Sequence, residues 1–178
     1  MGQGYKMLGF AVIAVLYVVI GVMAARGTIC IFRKIFSPKA EQILYAMFLI
    51  MIAALYLAFA AYFGASTAWR VETIAVGVFV AIGLVGMRVP LALIVGFPLH
   101  GLWDFLHELQ AHGLILAAAK DAAAGQAGAP VPTHAIFDAG QLTAIPLAYG
   151  FFCAAFDFYM AGYFYGRRTE WIGAWKAA

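Results

Sequence analysis

Charge is what this sequence lacks most. Of its 178 residues, 11% are charged against 66% hydrophobic, and a mean hydropathy of +0.94 removes it from the soluble globular class. Cysteine is almost as scarce. Cys30 and Cys153 both stand in apolar surroundings, which excludes a secreted disulfide framework and a C-x-x-C zinc or redox motif. No H-E-x-x-H zinc signature occurs. The net charge of +3 is small, and the basic residues stand beside apolar runs rather than in a patch interleaved with aromatics. Nucleic acid is therefore not an expected partner. There is no internal repeat.

What the chain does have is long apolar runs. They predict an all-α fold, a polytopic membrane helix bundle of about five transmembrane helices in a lipid bilayer. Residues 1–178 form a single integral membrane domain, with spans near residues 7–25, 42–63, 73–87, 91–116 and 142–165. The first apolar core is longer than the h-region of a secretory signal, so it reads as a retained span. Ser37-Pro38 reads as the N-cap and first position of the second helix. Tyr45, Tyr56 and Tyr62 read as interface or packing residues. Gly77, Gly83 and Gly86, and later Gly162-x-x-x-Gly166, are small-residue faces suited to close helix approach and to a homo- or hetero-oligomer. Residues 117–132 read as an exposed loop, and Pro98 and Pro146 as kinks in the fourth and fifth spans. Arg167, Arg168, Trp171, Trp175 and Lys176 read as an interfacial anchor.

Orientation follows from the basic residues. Arg26, Arg33, Lys34, Lys39, Arg88, Arg167, Arg168 and Lys176 fall on one side, eight in all, against Lys6, Arg70 and Lys120, three, on the other. The positive-inside rule then places the amino terminus outside and the carboxyl terminus in the cytoplasm of a bacterial cytoplasmic membrane.

Against this apolar background one stretch stands out, Leu99-His100-Gly101-Leu102-Trp103-Asp104-Phe105-Leu106-His107-Glu108. At ~100° per residue, His100, Asp104 and His107 share one helical stripe, with Glu108 beside them. Ionisable groups inside a span usually face a partner, a metal or water. His100 in the fourth span and Asp157 in the fifth fall at a common depth of roughly 14 to 15 Å from the cytoplasmic ends of their helices, and Asp104 and Cys153 match one turn further out. A buried Asp157 needs a partner, and His100 or Asp104 is the one at hand.

Three readings of these residues follow. The first is a metal site in which His100, Asp104, His107 and Asp157 hold a divalent ion such as zinc or iron. Asp104 and Glu108 would then be catalytic, Glu108 as general base, in hydrolysis or oxidation of a hydrophobic, lipid-like small molecule. The second is a hydrogen-bonded clamp between two helices, as in an accessory subunit of a larger membrane complex. The third is a proton or cation path, extended outward by His112, His134 and Asp138. His134 and Asp138, spaced i, i+4 behind a capping Thr133, also read as a solvated helix end.

With His100-Gly101-Leu102-Trp103-Asp104-Phe105-Leu106-His107 and, in the following span, Cys153-Ala154-Ala155-Phe156-Asp157, the carboxyl half resembles an uncharacterised family of small bacterial and fungal integral membrane proteins. That domain of unknown function carries an H-G-x-W-D-x-x-H element followed by C-x-x-x-D. The resemblance implies that His100, Trp103, Asp104, His107, Cys153 and Asp157 belong together, and it names no reaction. Glu108 departs from the family pattern, where a further histidine is frequent.

Overall fold

The computed structural model describes residues 2–123 and 142–177, and all regular structure among them is helical. In chain order the helices are α1 (Gly2–Ile35), α2 (Pro38–Tyr62), α3 (Trp69–Gly86), α4 (Pro90–Ala123) and α5 (Tyr149–Lys176). Several run beyond the apolar stretches that predict them. Arg26, Arg33 and Lys34 lie on α1 rather than in a loop, where the last two complement the negative end of the helix dipole. Ser37 caps α2 as expected, accepting from the Ala40 amide at 3.4 Å with Pro38 in the first turn.

Helix also extends into an expected loop. α4 continues to Ala123, well into the stretch expected to be loop, and the residues expected as an interfacial anchor are the last part of α5. Residues 142–148 form the lead into α5, so Pro146 precedes that helix instead of kinking it. Pro98, by contrast, does lie inside α4.

The helices alternate in direction. A Cβ added at Gly101 would meet Asp157 and Ala154, whereas one at Gly150 would meet Asp104 and Glu108. α4 and α5 are therefore antiparallel and in close contact. α5 also packs along α1, and α2 packs mainly on α3. Gly83 and Gly86 are points of close approach, to Ile50 and Leu93, as the sequence predicts. Gly77, Gly162 and Gly166 have open space at the Cβ position, so the Gly162-x-x-x-Gly166 motif mediates no close packing among the described residues.

The core is aromatic at the end where α1 and α5 finish. Tyr45, Phe97, Phe164 and Trp171 are buried together, with the Phe97 and Phe164 rings 4.8 Å apart. Glu41 is wholly buried there and accepts from Tyr163 Oη, Arg167 Nε (3.1 Å) and Trp171 Nε1 (3.1 Å). Next to it, Gln42 donates to the Gly86 carbonyl at 2.8 Å and accepts from Trp175 Nε1 at 3.0 Å. Lys39 and Arg88 lie over the Trp175 ring at 5.1 and 4.3 Å. The start of α2, the α3–α4 turn and the end of α5 thus share one end of the bundle, together with the basic residues grouped there by sequence.

Three helices are long and apolar enough to cross a membrane: the Leu8–Ile35 part of α1, α2 and α3. Large apolar side chains face outward throughout, among them Val15, Met47, Ile74, Leu99 and Phe158. That surface suits lipid rather than water.

Candidate metal centre

The stripe on α4 is an inward face. Phe97, His100, Gly101, Asp104, His107 and Glu108 are buried at helical spacing, while Leu99, Leu102, Phe105 and Leu109 are exposed. Polar groups inside and leucines outside is the arrangement that lipid favours. His100 is 1% exposed, Asp104 0% and Asp157 1%, so none of the three is solvated.

At the centre, His100 Nδ1 lies 2.8 Å from Asp157 Oδ2 and 3.1 Å from Asp104 Oδ2. The ring N–H is directed to Asp157, and Asp104 Oδ2 receives no hydrogen bond despite its proximity. The other Asp104 oxygen accepts from the hydroxyl of Tyr56 on α2. His100 Nε2 and Asp157 Oδ1 are buried without a hydrogen-bond partner. One ligand atom from each of His100, Asp104 and Asp157 can be chosen so that all three lie within 4.8 Å of one another. Oxygen and nitrogen ligands ~2.0 to 2.2 Å from a common ion stand up to about 4.4 Å apart, so small side-chain movements bring this set into coordinating range. The three unmatched polar atoms are an independent sign that the cluster has ligand capacity to spare.

The other residues of the predicted site have different partners. His107 faces Glu72 Oε1 at 2.8 Å through Nε2 and the Trp103 carbonyl at 2.9 Å through Nδ1. With both ring nitrogens engaged, it stands outside the group of metal-ligating residues. Trp103 contributes that carbonyl and an edge-to-face ring contact of 5.1 Å with His107. Glu108, expected as a general base, is 1% exposed and caps α5. Its Oε1 accepts from the Ala148 amide at 2.9 Å and its Oε2 from the Gly150 amide at 3.0 Å. Negative charge at a helix amino terminus is favourable, and both oxygens are occupied by that role. Cys153 is one turn before Asp157 on α5 and is a free cysteine. His134 and Asp138 lie outside the described residues, as does the side chain of His112.

Two participants escape the sequence reading. Tyr56, expected to be packing, is the hydroxyl donor to Asp104. Glu72, which falls between the second and third expected spans, is in the first turn of α3, wholly buried, holding His107 and the Thr143 amide (2.8 Å). Signals for both exist. A tyrosine hydroxyl in the middle of an apolar span needs a partner, and an acidic residue three positions past Trp69 suits a helix start.

Comparison with known proteins adds a family. Residues 13–130 match the family described as "Family of unknown function (DUF6010)". The chain belongs to the DUF6010 family. The matched region includes α2, α3 and the stripe from His100 to Glu108, and ends before Cys153 and Asp157. It therefore extends much further toward the amino terminus than the resemblance read from the sequence, and the DUF6010 match takes in Tyr56 and Glu72 as well. No curated protein matches the chain, and no solved structure does.

Proposed function

We propose that this DUF6010 protein is an integral membrane protein of five spans in which His100, Asp104 and Asp157 hold a divalent metal, zinc or iron. Its reaction is hydrolysis or oxidation of a hydrophobic, lipid-like substrate. The observation that carries this reading is the donor and charge balance of the cluster. Two carboxylates and an imidazole are buried together, and one polar atom of each lacks a hydrogen bond. A divalent cation would offset both carboxylate charges and take one donor atom from each of the three side chains. Such an ion supplies Lewis acidity for hydrolysis or, as iron, redox chemistry. Asp104 is the ligand set in place from a third helix, because Tyr56 fixes its other oxygen.

The same proposal places the amino terminus outside and the carboxyl terminus in the cytoplasm of a bacterial cytoplasmic membrane. The clustering of Lys39, Arg88 and the end of α5 at one end of the bundle supports that orientation. A second reading has its own observation, since His100 and Asp157 hydrogen-bond directly and so already clamp α4 to α5.

Elemental analysis of the detergent-purified full chain separates the two. The metal reading expects stoichiometric zinc or iron in the wild type, and a loss of roughly tenfold or more in His100→Ala and Asp157→Asn. Wild-type protein without metal, or folded variants with unchanged metal content, establishes the clamp instead.

A further inference from the structure

Away from the polar centre, α1 and α5 diverge into an open groove of about 520 Å³. Its α1 wall carries Arg26 and Arg33, and its α5 wall carries Phe158, Tyr159, Gly162 and Tyr163. The two arginines are seven residues apart, hence on one face of α1 and about 10.5 Å apart along its axis. Both are exposed, and no ion pair is formed by either among the described residues. The groove has no acidic side chain in its described lining. The nearest buried carboxylate, Glu41, is committed to Tyr163, Arg167 and Trp171. Gly162 leaves the groove floor open, with nothing within 4 Å of a Cβ placed there.

Position along the helix identifies the ligand chemistry. The apolar part of α1 spans 28 residues, about 42 Å of helix against a hydrocarbon core of about 30 Å. The surplus, at the basic end, crosses the headgroup layer over the stretch that Arg26 and Arg33 bracket. Long basic side chains at that depth reach for phosphate while their stems stay on apolar surface. Phe158 and Tyr159, 47% and 38% exposed, offer a wall for an acyl chain just below.

We infer that the α1–α5 groove binds an anionic phospholipid, with its phosphate between Arg26 and Arg33 and its acyl chain along Phe158 and Tyr159. This site is separate from the His100 cluster and does not depend on metal there.

The test uses the full chain extracted gently and exchanged into mixed phosphatidylcholine and phosphatidylglycerol, with retained lipid measured by native mass spectrometry. Wild type should retain phosphatidylglycerol preferentially, and the double variant R26Q/R33Q should lose that preference by roughly tenfold, a factor equivalent to ~1.4 kcal/mol. Gly162→Leu, which fills open space without changing charge, should reduce retention several-fold. Lys34→Gln, which removes one positive charge outside the groove lining, should not. Equal preference in R26Q/R33Q and wild type overturns the proposal, as does full retention in a folded Gly162→Leu protein. Displacement of the lipid by millimolar inorganic phosphate also overturns it, because the site would then read phosphate alone.

Discussion

At the scale of single residues, the centre depends on hydroxyl and carboxylate atoms that have no access to water. Tyr56 is 2% exposed and its hydroxyl serves Asp104, which is 0% exposed. Removing one partner of a buried hydrogen bond costs about 1 to 3 kcal/mol, because the other is left desolvated and unmatched. Tyr56→Phe is therefore expected to lower the unfolding free energy in detergent by that amount. Tyr62→Phe should stay within about 0.5 kcal/mol, since Tyr62 is 83% exposed. Equal effects from the two variants would mean that Tyr56 only packs. The same logic explains His107 and Glu72, a wholly buried pair at 2.8 Å that lies beside the centre rather than within it, with Glu72 Oε1 also accepting from the Thr143 amide and Oε2 left without a hydrogen bond.

At the scale of elements, the junction that matters is the start of α5. Ala148 adopts a left-handed conformation, with φ at 61°, which costs a residue bearing a Cβ on the order of 1 kcal/mol. Glu108 offsets this by accepting from the amides of Ala148 and Gly150. Gly150 lets α5 lie so close to α4 that a Cβ there would collide with the Asp104 backbone. The antiparallel contact set at this point carries Asp157 to the level of His100. Glu108→Ala is expected to cost about 1 to 2 kcal/mol and to speed hydrogen exchange at Ala148 and Gly150 before the rest of α5. Unchanged exchange at those amides would exclude the capping role.

At the scale of the whole molecule, two buried polar clusters join helices that are far apart in sequence. One joins α2, α4 and α5 through Tyr56, His100, Asp104 and Asp157. The other joins α2 to the end of α5 through Glu41, Tyr163, Arg167 and Trp171. Breaking a buried ion pair by removing one partner typically costs about 3 to 5 kcal/mol. Glu41→Ala is expected to approach that loss and to expose the last turns of α5 to proteolysis while leaving the occupancy of the proposed metal site unchanged. Simultaneous loss of metal would mean that the two clusters form one cooperative unit. Helix arithmetic made the first cluster partly readable from sequence, since His100 and Asp157 share a depth on antiparallel helices. The second gave no comparable signal, because Glu41 follows Ser37-Pro38 and resembles an ordinary acidic residue in a first turn.

By itself the sequence determined that the chain is helical and apolar-faced, where α2 is capped, and that His100, Asp104 and His107 share one inward stripe with Asp157 expected opposite it. Those properties follow from local periodicity, from capping chemistry and from the cost of burying charge in lipid. Only the tertiary structure decided the partners. It turned His107 toward Glu72, assigned Glu108 to the amides of α5, brought Tyr56 to Asp104 and left Gly162 open beside two arginines. The physical reason is that a buried polar atom takes whichever complementary group the packing of distant helices brings within about 3 Å. Spacing within one helix carries no record of that choice.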